Sequence, residues 1–286
     1  MTCGFRLLVA AVVLSFCRLP VVADAASPAG DFGESKARVR LVTDTGEIEP
    51  GSTFHLGVVF EIEPGWHIYW RNPGGAGLAT HIRWQLPEGL EAGDLQWPLP
   101  IAFTQSEGIP GYGYEGSVVL AAEVRAPLDY DAKSPHQVRA KVSWLACRGV
   151  CVLGAAELEG TLAALPVDQE AFRGRQEDLP RAADPGRPPF SVTTTGGLAD
   201  GRLILWLRWP EEPRLVEWFP DPSDALRVED ISVQTRGALT RIDAVARPLE
   251  NAAGPTDRLS SLVVLTGPNG GRHGWELVID LDDENL

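Results

Sequence analysis

Several things are scarce in this sequence, and each scarcity removes a class of function. Methionine occurs once in 286 residues, at position 1, so no Met-rich metal-binding surface can form. Basic residues are outnumbered, 25 Lys+Arg against 39 Asp+Glu, for a formal net charge of −14. Sequence-independent nucleic-acid binding needs Lys and Arg to displace counterions, so nucleic acid is not an expected partner. An anionic lipid surface is disfavoured on the same ground. Four cysteines in so long a chain are too few for a disulfide framework. The patterns G-x-S-x-G and H-E-x-x-H and the phosphate loop are missing. His55, His67, His81, His136 and His273 show no close metal-ligand spacing and read as surface or packing residues. No metal or cofactor is therefore expected. Beyond the N-terminus, no stretch approaches the roughly 18 uninterrupted apolar residues of a membrane span.

What remains is a chain with 44% hydrophobic and 22% charged residues, enough apolar matter for a core. Its start reads as an address. Arg6 supplies a basic n-region, Leu7 to Phe16 an apolar run, and Ala23-Asp24-Ala25 a small-residue cleavage pattern. Residues 1–25 are expected to leave as a signal peptide, taking Cys3 and Cys17 with them. The mature protein is then exported and soluble, with Cys147 and Cys151 as its remaining cysteines, in a compartment that permits disulfides.

Strand signals recur along the rest. Ala37–Leu41, Thr53–Ile62, Trp66–Trp70, Thr80–Leu86, Val118–Val124, Val138–Leu145 and Ala156–Leu162 come first. The run Val138-Arg139-Ala140-Lys141-Val142-Ser143-Trp144 alternates apolar and polar residues, which puts one face on a core. Turn clusters such as Glu63-Pro64-Gly65, Asn72-Pro73-Gly74-Gly75 and Pro110-Gly111 punctuate the strands. Residues 166–189 are polar, hold five prolines, and read as a linker with one short helix near Asp168–Gln176. Strands resume at Phe190–Thr195, Arg202–Trp209, Val228–Thr235, Leu239–Ala246, Leu259–Thr266 and Trp275–Leu281. The expectation is an all-β protein of two immunoglobulin-like β-sandwich domains in tandem, 26–165 and 190–286. Tryptophans such as Trp206 and Trp209 read as core or inter-domain packing, not as a carbohydrate platform. The run Gly74-Gly75-Ala76-Gly77 follows no βα pattern and reads as a loop.

Cys147-Arg148-Gly149-Val150-Cys151 is the informative segment. Two cysteines four apart are about 13 Å apart on an extended strand. A disulfide needs Cα atoms within about 7 Å, so pairing requires a turn between them, which Gly149 permits. The small ring stabilises by roughly 2 kcal/mol in the loop-entropy account. Arg148 favours a thiolate here, whereas Trp144, Leu145 and Val150 desolvate and oppose one. Local sequence leaves a structural staple and a redox pair both open.

The surroundings narrow this. Gly65-Trp66-His67-Ile68-Tyr69-Trp70-Arg71-Asn72-Pro73-Gly74, then Gln96-Trp97-Pro98, then Tyr112-Gly113-Tyr114-Glu115-Gly116, then Trp144-Leu145-Ala146-Cys147-Arg148-Gly149-Val150-Cys151 occur in that order. Over residues 37–165 this succession resembles the N-terminal periplasmic domain of the thiol:disulfide interchange reductase DsbD, closest to its ScsB (suppressor of copper sensitivity) type. The resemblance implies a component of a periplasmic protein-disulfide reductase. Electrons would come from a membrane-embedded thiol reductase and leave to periplasmic thioredoxin-like proteins. Cys147 and Cys151 match the redox pair. His67 and Tyr69 fall where the family has an aromatic pair beside it. Thr104–Tyr112 falls where a cap covers the cysteines. Val152-Leu153-Gly154 follows the second cysteine where the family often carries Pro. Full-length members continue into membrane and thioredoxin-like domains. This chain ends at Leu286 without them, so the donor is expected to be another polypeptide. The competing readings are a periplasmic copper-binding protein using these thiols with a histidine, and a non-catalytic interaction module with a structural disulfide.

Overall fold

The computed structural model describes residue 1 and residues 32–105, 108–173, 175–182, 189–196, 201–251 and 257–281. The expected signal peptide, apart from residue 1, lies outside the described residues, as does part of the 166–189 connection.

The first half is built from ten strands: β1 (Ala37–Thr43), β2 (Thr53–Ile62), β3 (His67–Gly74), β4 (His81–Gln85), β5 (Glu91–Ala92), β6 (Ile101–Thr104), β7 (Pro110–Tyr114), β8 (Ser117–Arg125), β9 (Gln137–Arg148) and β10 (Val150–Thr161). They form two sheets. One runs β1-β2-β8-β5, and the other runs β10-β9-β3-β7-β6 with β4 also on β9. The alternation read in the sequence sets their faces. Val138, Ala140, Val142 and Trp144 of β9 point into the core, and Arg139, Lys141 and Ser143 point to solvent. Phe54, Leu56, Val58 and Phe60 of β2 meet them from the facing sheet. Each such side chain contributes about 1.5–3 kcal/mol by leaving water. Phe60 stands edge-on to Trp144 at 5.7 Å. The Trp144 indole N–H donates to the Ser35 carbonyl at 3.1 Å, which satisfies its one polar group.

Eight further strands make the second half: β11 (Arg181–Ala182), β12 (Ser191–Thr195), β13 (Arg202–Arg208), β14 (Leu215–Pro220), β15 (Leu226–Arg236), β16 (Leu239–Pro248), β17 (Arg258–Thr266) and β18 (Arg272–Asp280). Sheets β11-β18-β17-β14 and β12-β13-β16-β15 enclose a core of Leu203, Leu205, Leu207, Trp218, Ile242 and Val263, among others. Trp209 is buried there, as expected, and its indole donates to Thr240 Oγ1 at 2.9 Å. Trp206 departs from the expectation. It lies on the half-exposed outer face under the Arg241 guanidinium, 5.3 Å from the ring centre.

The two halves share apolar packing. Phe219 of β14 and Leu262 and Val264 of β17 belong to the first core, with Phe219 edge-on to Tyr112 at 5.1 Å and to Trp70 at 5.9 Å. Arg71 pairs with Asp221 at 2.7 Å, and Asn72 Nδ2 donates to the Pro220 carbonyl at 2.7 Å. The described part of the connection is also tied down. It holds two four-residue helices, Gln169–Phe172 capped by Asp168 and Arg175–Asp178, where the sequence suggested one. Phe172 packs beside the Val42–Val59–Val119–Ala121 cluster, and buried Arg175 bonds to Gln96.

Gly154 of β10 lies against the Trp144 ring, and a Cβ there would overlap the indole. Gly154→Ala is expected to lower unfolding stability by about 1–3 kcal/mol through overpacking. A fall in the urea midpoint at unchanged slope would show this.

Candidate functional site: a cross-strand disulfide beside an aromatic cap

The site begins with a hairpin. β9 and β10 pair without a register break from Gln137↔Thr161 to Arg148↔Val150, leaving Gly149 alone at the tip. Gly149 has φ +73°, a conformation that costs side-chain-bearing residues about 1–2 kcal/mol. The turn places Cys147 directly opposite Cys151, with Cα atoms 4.2 Å apart, and the two form a disulfide. The requirement read from the sequence, a turn at Gly149 if the cysteines pair, is met. The strands run further than expected, so both cysteines sit inside the ladder. Their environments differ: Cys147 is 2% exposed, whereas Cys151 is exposed.

His67 opens β3 and is the cross-strand partner of Cys147. Tyr69, two residues on, shares its face, and the rings meet edge-on at 5.4 Å. The ring on top is one the sequence reading left out. Phe103 of β6 lies 3.8 Å from His67 and 6.0 Å from Tyr69, centroid to centroid. It is one residue before the cap expected at Thr104–Tyr112, which the structure builds on paired strands β6 and β7. Gly111, opposite Phe103 in the register, leaves room for the ring, since a Cβ there would overlap it.

Gln105 fastens the cap. The Tyr69 hydroxyl donates to Gln105 Oε1 at 2.7 Å, and Gln105 Nε2 donates to the Ala76 carbonyl at 3.0 Å. The backbone N–H of Gln105 donates to the Ile109 carbonyl at 2.8 Å. Gly77, at φ +123°, lies flat against the Tyr69 ring, where any side chain would clash. The glycine run read as a loop therefore seats Tyr69. Phe103, Thr104, Gln105 and Ile109 border a cleft of about 540 Å³, together with Gly65, His67, Glu115, Arg148 and the two cysteines.

Burial pushes the His67 imidazole below its ordinary pKa of 6.5, so the ring is neutral near pH 7. Its Nε2 is buried with no hydrogen-bond partner among the described residues. Burial also raises the Tyr69 phenol above its ordinary value. Arg148 is exposed and borders the cleft, and its guanidinium sits 5.6 Å from the Trp66 ring centre. Val150 is not the desolvating wall that the sequence suggested. It is 66% exposed, and Leu153, on the same face of β10 as Cys151, is 73% exposed. Among the described residues, no three His, Cys, Asp or Glu side chains gather as a metal site.

Comparison with known proteins agrees with this geometry. Residues 39–163 match the family model described as thiol:disulfide interchange protein DsbD, N-terminal. This segment is a DsbD-N-like domain, an immunoglobulin-like β-sandwich. The solved N-terminal periplasmic domain of ScsB from Proteus mirabilis superposes with TM-score 0.65 at 21% identity, over 86% of this chain and 94% of that one. The shared fold thus extends through the second sandwich. The Enterococcus faecalis MSCRAMM ACE structure aligns over 84% of this chain and 92% of that one, at 8% identity and TM-score 0.19, too low to carry an argument. No curated protein matches the sequence. As a DsbD-N-like domain, residues 39–163 are a thiol–disulfide exchange module. Among the described residues, no helix is long and apolar enough to cross a membrane.

The His67 titration follows from its burial. Between its lowered folded pKa and 6.5, the unfolded imidazole binds a proton that the folded one does not. Its contribution therefore makes stability fall as pH drops through that window. The ring midpoint read by NMR is expected below 6.5, and Phe103→Ala is expected to raise it toward that value by letting water in.

Proposed function

We propose that Cys147 and Cys151 are a redox pair, and that the chain is an exported module passing electrons from a membrane-embedded thiol reductase to periplasmic thioredoxin-like proteins. The observation that carries this is the split exposure of a disulfide at a hairpin tip, one cysteine in solvent and the other buried opposite His67. A staple needs no such asymmetry, no cleft and no cap. The DsbD-N-like fold supports the same reading. Residues 26–165 carry the chemistry in this proposal, 166–189 connect, and 190–286 form the second domain.

Exchange begins when a donor thiolate attacks Sγ of Cys151. A new intermolecular S–S bond forms, the Cys147–Cys151 bond breaks, and the electron pair leaves on Cys147 as thiolate, which takes up a proton. The donor's second thiolate then attacks its own partnered sulfur. That releases Cys151 and leaves the donor oxidised by two electrons. In the delivery half, the Cys151 thiolate attacks an acceptor disulfide. Cys147, held 4.2 Å away Cα to Cα, resolves the mixed disulfide and restores the original bond. Exposed Leu153, on the face of Cys151, and exposed Val150 at the tip offer apolar contact to the docked partner. Arg148 is assigned an electrostatic role beside the reacting sulfur, and His67 and Tyr69 support the cap.

Cysteine replacement tests this. Cys147→Ser is expected to trap a mixed disulfide through Cys151 with a thioredoxin-like protein. Cys151→Ser is expected to form none, and both variants fold, because the small ring contributes only about 2 kcal/mol. Unfolding of both single variants at ambient temperature, without trapping, would mark the bond as a staple.

A further inference from the structure

The second sandwich reaches the cap through two charged side chains. β6 is the last strand of its sheet, so every other backbone N–H along it points away from β7. Ala102, the residue before Phe103, presents one of these. Glu217 of β14 accepts it: Glu217 Oε1 receives the Ala102 N–H at 3.1 Å, and Glu217 Oε2 receives Arg272 Nη2 at 2.9 Å. Arg272 of β18 also donates to the Pro100 carbonyl at 2.5 Å and the Leu99 carbonyl at 3.4 Å. Leu99 fills the space over Gly274 of β18, where a Cβ would overlap it. Three of the residues leading into the cap, Leu99, Pro100 and Ala102, are thus gripped by the second sandwich. The Glu217 side chain is 13% exposed and that of Arg272 28%, so water screens the pair only in part.

We propose that Glu217 and Arg272 are positioning residues for thiol–disulfide exchange: they hold the cap strand so that Phe103 stays seated on His67 beside the disulfide. This rests on the redox reading of the cysteine pair. Phe103 is fixed from both sides in sequence, by Glu217 at Ala102 and by the Tyr69 bond at Gln105. The cap can leave only if one anchor yields. The second domain supplies one anchor, so it sets the fraction of molecules in which water reaches His67 and the buried Cys147, the sulfur that must leave when a thiol attacks exposed Cys151. A docking partner, which makes contacts of its own, can displace the cap where glutathione cannot. The second sandwich thereby limits unproductive exchange of the pair with small thiols and their disulfides.

The test uses the full chain and follows reduction of the Cys147–Cys151 disulfide by glutathione. Glutathione thiolate attacks Cys151 and a second glutathione completes the reduction, leaving the dithiol and oxidised glutathione. Glu217→Ala removes both bonds and is expected to speed the first step about tenfold, the size of one lost charge-assisted hydrogen bond. Glu217→Gln keeps an acceptor for the Ala102 N–H and is expected to recover most of the protection. Arg272→Ala is expected to fall between them. Hydrogen exchange at the Ala102 amide is expected to rise in step with the rate. An unchanged rate in Glu217→Ala overturns the proposal. So does a gain in Gln equal to that in Ala, because the amide contact would then not matter. If Glu217→Ala does not fold, the Gln and Arg272→Ala rates with Ala102 exchange decide. Faster glutathione reduction, together with no exchange with any thioredoxin-like protein, would leave the anchor standing and remove the redox role.

Discussion

Everything at this site depends on the register of one hairpin. In β9 and β10 the side chains alternate between core and solvent, so a slip of one residue would move every one to the opposite face. The register is pinned far from the cysteines, by Val138, Ala140, Val142 and Trp144 in the core and by Gly154 against the Trp144 ring. Those contacts put both cysteines on the outer face, where Cys147, opposite His67, is buried and Cys151 is exposed. The disulfide does not create the hairpin; the hairpin presents the disulfide. In the proposed exchange, reduction would therefore open the bond without dismantling the ladder. Twelve residues on each side keep the ladder, and only the tip changes covalent state.

The cap obeys a different logic. β6 and β7 are short, and their sequences hold little that compels a strand. They are held by what they touch. Tyr69 fastens Gln105, Gly111 makes room for Phe103, and Gly113 lets the chain pass close to the Ile68 carbonyl. The cap is therefore held by its neighbours' contacts and not by its own strand propensity.

The same contrast explains what the sequence made legible. Long alternating segments such as Val138–Trp144 announce their period locally, and their strands appear where expected. The positive φ at Gly149 could be inferred because covalent geometry demands a turn if the cysteines pair. Phe103 could not be inferred, since its role depends on three strands meeting. Pro110-Gly111 looks like a turn, yet these residues open β7, and the glycines serve close packing. β14 was hidden because Pro213 and Pro220 bracket it, although Val216, Trp218 and Phe219 are buried. Glu217 is one charged residue among many in the sequence. Only the fold places it against the edge of β6, 115 residues away in the chain.

Charge decides which sulfur can bear the reaction. A thiolate on Cys147 would face a neutral His67 in a nearly closed environment, with desolvation opposing it. A thiolate on Cys151 would be exposed to water, at a tip whose neighbour Arg148 carries the nearest cationic group in the cleft lining. In the proposed exchange, the same cost fits Cys147 to the part of the residue that leaves and returns. Its thiolate is high in energy when formed, so it takes a proton, and as the mixed disulfide resolves it closes the bond again. A cation on His67 would weaken that drive by stabilising the Cys147 thiolate. The aromatic stack of Phe103 over His67 excludes water from the imidazole and keeps it uncharged. Cap and disulfide are thus coupled electrostatically as well as sterically. Lifting Phe103 uncovers His67, the cross-strand partner of Cys147, and admits the water that lets the imidazole take up a proton. A docked partner that displaces the cap would meet a Cys147 leaving group made more stable by the same movement.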